Sequence, residues 1–122
     1  MIILDTNIVI SYIQGERKIT NWIDGERTRG MHFGISTLSV TELFCYPRMN
    51  EEERVAIEQW LTVVLAIPVD IVIARFAADI RKDYALTTID STIAATALVH
   101  NAQLATRDLQ FQKIKEIEIL AP

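Results

Sequence analysis

MIILDTNIVI, residues 1–10, is the stretch from which the fold is read. Met1–Leu4 is a short apolar run that stops at an acid, Asp5. A run that short, with no polar position, reads as a buried strand. Asn7–Ile13 continues apolar toward Gly15, as a short helix does. The stretch therefore predicts a strand, an acid at its carboxyl end, and a helix leading away.

The same alternation continues outward. A second helical stretch is expected from about Arg17 to Glu26, with Ile19, Trp22 and Ile23 on one face. His32–Ser36 reads as a strand, and a helix starts at Ser39 and stops at Cys45, before Pro47. Glu51–Leu65 reads as a helix with acids in its first turn, and Ala66–Val69 as a brief strand. Asp70 is a good N-cap for a helix running to Tyr84. An alanine-rich helix follows from Thr88 to His100, then strands at Gln103–Thr106 and Ile117–Leu120. Strands alternating with helices imply βαβ units, hence a doubly wound α/β fold with a mostly parallel sheet covered on both faces. Ligands bind such sheets beyond the carboxyl ends of the strands.

Composition narrows the class. The chain has 122 residues, one ordinary domain spanning 1–122. Half of it is apolar, which argues against disorder. No apolar run reaches the roughly 18 residues of a membrane-spanning helix, and no basic leader precedes Asp5. Cys45 is the single cysteine, which excludes an internal disulfide and a cysteine-based zinc site and fits a reduced, cytoplasmic location. The net charge of -4 argues against a protein that coats nucleic acid by bulk charge. It is compatible with an enzyme that reaches phosphate through bound cations.

Four acids stand where the fold puts ligands. Asp5 and Asp108 follow strands, Glu42 is placed in the first turn of the helix after His32–Ser36, and Asp90 in the first turn of the helix at Thr88. Singly, each has a plain alternative. Ser39-Val-Thr-Glu42 and Thr87-Thr-Ile-Asp90 read equally as capping boxes, and Asp5 and Asp108 as turn residues. Jointly they are harder to explain, because clustered carboxylates repel and raise one another's pKa unless a cation intervenes. An all-oxygen ligand set suits magnesium or manganese. His32 and His100 read as structural.

These stretches resemble the motifs of PIN-domain nucleases. MIILDTN resembles the opening strand and Asp-Thr-Asn, ISTLSVTEL (35–43) the second motif, TTIDSTIAATAL (87–98) the third, and LATRDLQF (104–111) the fourth. The chain departs from the pattern twice. Thr88-Ile89 stands where the family has a proline before its Asp, and Asp108-Leu-Gln-Phe111 lacks a second Asp, so that Asp108 serves alone. The resemblance implies a five-stranded sheet and an endoribonuclease dependent on one or two magnesium or manganese ions. Asp5, Glu42, Asp90 and Asp108 would be catalytic; Asp5, Asp90 and Asp108 would hold metal; Thr6, Asn7 and Thr106 would support them. Metal-activated water would cut the RNA phosphodiester in line, with Glu42 ligating or orienting that water. Chains of this size in the family are mostly toxins of bacterial toxin–antitoxin pairs, similar to the VapC group, which implies a homodimer and a cognate antitoxin.

Arg107, Arg17 and Lys18 are candidates for RNA phosphate contacts, as are Arg27, Arg29 and Arg48. Two other readings stay open. One is a non-catalytic binding module on the same fold. The other is an aspartyl phosphotransfer enzyme of the haloacid-dehalogenase kind, whose chemistry wants an acid where Asn7 stands.

Overall fold

The computed structural model describes residues 1–122. Five parallel strands form one sheet: β1 (Ile2–Leu4), β2 (Phe33–Ser36), β3 (Leu65–Ile67), β4 (Gln103–Ala105) and β5 (Ile119–Leu120). Their order is β3-β2-β1-β4-β5, and every neighbouring pair is parallel. Six helices connect them: α1 (Thr6–Ile13), α2 (Arg17–Thr28), α3 (Thr37–Phe44), α4 (Glu51–Leu61), α5 (Ile71–Tyr84) and α6 (Thr88–Val99). This is the doubly wound α/β architecture expected from the alternation.

Side-chain alternation in β1 divides the core in two. Ile2 and Leu4 face α1, α2 and α4, among Ile8, Ile19, Ile23, Ile57 and Trp60. Ile3 faces the opposite layer, with Ile73, Ile80, Ile93 and Phe111. All three strand residues are fully buried, as a central strand covered on both sides requires. β2 brings Gly34 against β1, where an added Cβ would lie 2.9 Å from Cδ1 of Ile3.

The element boundaries differ from expectation in three places. α4 ends at Leu61 rather than Leu65, because Leu65 pairs with Gly34 of β2 and is drawn into β3. β3 accordingly spans Leu65–Ile67, earlier than Ala66–Val69. α3 begins at Thr37, with Ser36 as its cap, two residues before Ser39. A 3-10 helix at Leu109–Lys113, which the alternation did not suggest, is capped by Asp108. Asp70 caps α5 as expected, accepting from the Ile73 amide at 2.9 Å.

The chain runs from β1 outward to β3, then crosses back to β4 on the other side of β1. The crevice at that reversal lies beyond the carboxyl ends of β1 and β4. Asp5 directly follows β1, and Thr106 directly follows β4.

Candidate active site

Asp5 is the centre of this crevice. It caps α1, and its Oδ1 accepts from the Thr6 amide at 2.7 Å. Its Oδ2 accepts from the Thr106 hydroxyl at 2.7 Å and from Asn7 Nδ2 at 2.7 Å. Thr106, fully buried, also accepts at its hydroxyl from the Asp108 amide at 3.0 Å. Asn7 Oδ1 accepts from the Arg107 amide at 3.3 Å. One network therefore fixes the Asp5 carboxylate against the segment that carries Asp108. Asp5 is only 6% exposed, so this satisfaction is needed.

Glu42 enters through Thr6, whose hydroxyl donates to Glu42 Oε2 at 2.5 Å. The link joins α1 to α3. Glu42 is not in the first turn of α3, since the helix starts at Thr37. The capping-box reading of Ser39 and Glu42 is thus incorrect: Ser36 is the cap, and the Ser39 hydroxyl is buried without a partner. Asp90 does lie in the first turn of α6, where its amide donates to the Thr87 hydroxyl at 3.1 Å. Asp108 caps the 3-10 helix, accepting from the Gln110 amide at 2.9 Å.

The four carboxylates are electrostatic neighbours. Burial pushes the Asp5 carboxyl above the ordinary aspartate range. Hydrogen bonds from Thr106 and Thr6 oppose that rise, while the charges of Asp90 and Glu42 add to it. Burial also raises Asp90, opposed by Thr87 and reinforced by Asp108. The donor set is carboxylate and hydroxyl oxygen throughout, which suits a hard divalent cation. Such an ion would offset the burial and like-charge repulsion that raise both acids. No three His, Cys, Asp or Glu side chains are gathered tightly enough to enclose an ion as they stand.

The cations fall out less evenly. Arg107 does not reach into the crevice: its guanidinium forms a fork on Glu16, at 2.9 and 2.5 Å, and its Nε donates to the Pro122 carbonyl at 3.2 Å. The two residues are remote in sequence, and no local pattern joins them. Arg17 and Lys18 open α2 beside Glu16, are exposed, and make no ion pair. Arg27 and Arg29 lie at the other end of α2, nearest the start of β2 and away from the acids. Arg27 sits 6.0 Å from the centre of the Phe33 ring, and Arg29 pairs with Glu26. No helix is long and apolar enough to cross a membrane.

Comparison with known proteins agrees with this layout. The family model described as PIN domain matches residues 2–117. Among solved structures, the chain is similar to a toxin–antitoxin complex from Klebsiella pneumoniae, with TM-score 0.84 and 23% identity over 99% of this chain and 97% of that one. It is similar to VapBC2 from Rickettsia felis bound to a promoter DNA fragment, with TM-score 0.83 and 18% identity over 98% of each chain. It is similar to VapBC-1 from nontypeable Haemophilus influenzae, with TM-score 0.75 and 27% identity over 98% of this chain and 97% of that one. A comparison with curated protein sequences gives no match.

Proposed function

The chain belongs to the PIN-domain family, and from that premise we propose that it is a metal-dependent endoribonuclease, the toxin of a bacterial toxin–antitoxin pair acting in the cytoplasm. The observation that carries this reading is the buried Asp5 carboxylate, held by Thr6, Asn7 and Thr106 with Glu42 and Asp90 as charged neighbours. The similar structures from Klebsiella, Rickettsia and Haemophilus are toxin–antitoxin complexes, which supports an antitoxin partner here.

Asp5, Asp90 and Asp108 would hold one or two magnesium or manganese ions. A bound ion would supply activation of the attacking water and charge stabilisation at the leaving oxygen. The chain's own residues do the positioning. Asp5 accepts from three donors, Asn7 and Thr106 at Oδ2 and Thr6 at Oδ1, which leaves one lone-pair site, on Oδ1, for an ion. Thr6 holds Glu42 beside it, where Glu42 orients a water or adds a ligand. The hydrogen bonds from Thr106 and Thr6 oppose the rise that burial imposes on the Asp5 carboxyl, and Asn7 helps to fix its orientation. Asn7 donates to Asp5, so the site lacks the second acid that aspartyl phosphotransfer needs.

The test is cleavage of a defined RNA by the purified protein with magnesium, with manganese and with chelator, followed by sequencing of the ends. Metal-dependent products with 5′-phosphate and 3′-hydroxyl are expected. Asp5→Asn and Asp90→Asn should each lower the rate by at least about a hundredfold. Full metal-dependent cleavage by either variant would overturn the site. Metal binding without cleavage of any RNA would restore the non-catalytic module.

A further inference from the structure

An acidic protein that acts on RNA needs local cations at its site. Four of the twelve lysines and arginines are held by carboxylates: Arg107 by Glu16, Arg54 by Glu51 and Glu58, Arg29 by Glu26, and Lys82 by Asp79. Arg81 is different. It stands in the last turn of α5, and its Nη1 donates to the Thr88 hydroxyl at 2.7 Å. Thr88 is neutral and opens the helix that carries Asp90 two residues later. No carboxylate pairs with Arg81, although it is pinned at the first turn of α6, where the helix amides already favour an anion.

A cavity of about 390 Å³ opens at the same place, within the range of pockets that take small ligands. Leu38, Ala77 and Ala78 supply apolar walls, and Arg81, Thr88 and Ser91 the polar ones. Ser91 is 1% exposed, and its hydroxyl has no hydrogen-bond partner. A buried hydroxyl is rarely left so.

Resting on the nuclease reading, we propose that Arg81 is a substrate-binding residue, which grips an RNA phosphate next to the one hydrolysed beside Asp90, and that the α5–α6 cavity receives the base of that nucleotide. Arg81 supplies the charge complementary to phosphate. Thr88 holds the guanidinium in place before the RNA arrives. The apolar walls accept the face of a base, and Ser91 offers its edge a hydrogen bond.

The test follows cleavage of a labelled single-stranded RNA over a range of salt concentrations. It compares wild type with Arg81→Gln, Arg81→Lys and Ser91→Ala. Arg81→Gln should raise KM about tenfold and leave kcat within about twofold. Its slope of log affinity against log salt should be shallower by about 0.7, one phosphate contact on a single strand. Arg81→Lys should recover most of both effects. Ser91→Ala should keep the wild-type slope and change the preference for the base beside the cut. Unchanged KM and slope in Arg81→Gln, with wild type active, would sink the proposal alone. So would a lowered melting temperature or altered oligomeric state that Arg81→Lys does not repair, since Arg81 would then be structural. A wild-type protein that neither binds nor cuts RNA would overturn the nuclease reading itself.

Discussion

Asp90 is half-buried, and its carboxyl is held above the usual range by burial, with Asp108 adding to the effect. A carboxyl raised in the folded state contributes stability below its unfolded value, here near 3.8, and loses that contribution as pH rises through the folded value. At neutral pH without metal, ionised Asp90 therefore weakens the fold. Asp90→Asn should melt a few degrees higher than wild type at neutral pH in chelator, and the gain should vanish in acid. Adding magnesium should stabilise wild type more than the variant. Thermal melts across pH, with and without metal, check both expectations. Thr106→Val acts in the opposite sense. It removes the hydroxyl that donates to Asp5 and accepts from Asn7 and Asp108, at a cost of about 1–3 kcal/mol. Losing a bond that lowers the Asp5 pKa raises it further. Metal affinity should then fall more near about pH 6 than near about pH 8, because the ligand must be deprotonated. Calorimetric titration at the two pH values measures this. Asp5, Asp90 and Asp108 were legible as acids that end a strand or open a helix, whereas Glu42 sits in the body of α3, where no cap marks it. The Glu16–Arg107 fork was not, because nothing local in the sequence joins α2 to the end of β4.

At the scale of the element, α6 shows what a cap does for function. Thr87 accepts from the Asp90 amide and so fixes the turn from which that carboxylate projects. Thr87→Ala should cost about 1 kcal/mol of stability and lower the cleavage rate beyond what that loss explains. Denaturant melts beside initial rates test it, and a rate equal to wild type would show that the cap is structural only. α3 shows where the sequence misleads. Ser36, Thr37 and Ser39 are all plausible cap residues, and Ser39-Val-Thr-Glu42 has the spacing of a capping box. Tertiary packing chooses Ser36, because β2 delivers it at the strand end, and leaves Ser39 fully buried. The α4–β3 boundary was hidden for a similar reason. Val63, Val64 and Leu65 extend the apolar character of α4, and only pairing with β2 separates them from it.

At the scale of the whole molecule, the sheet order could not be read from spacing, though strand number and parallelism could. Pairing partners are set by which faces the helices cover, and that information is spread over the chain. The fold leaves Val72 and Phe76 of α5 exposed, at 47% and 45%. An apolar strip of that kind on a small protein suits a second copy. Phe76→Glu should convert a homodimer to a monomer in light scattering without lowering the melting temperature of the dilute protein, and an unchanged mass would remove α5 from the interface.

The central strand also has a consequence for when this protein exists as an enzyme. Ile2 of β1 pairs with Gln103 of β4, so the segments that place Asp5 and Asp108 are made at widely separated moments of synthesis. Such distant parallel pairing forms slowly, because the intervening loop must first be closed. A nascent chain that has not yet exposed residue 103 has no partner on that side of β1 and no Thr106 to hold Asp5. On the nuclease reading, a ribosome making this protein would be spared an active nuclease at its own exit. Stalled chains ending before β4 should be protease-sensitive and inert toward RNA, whereas chains extended past β5 should resist protease and cut.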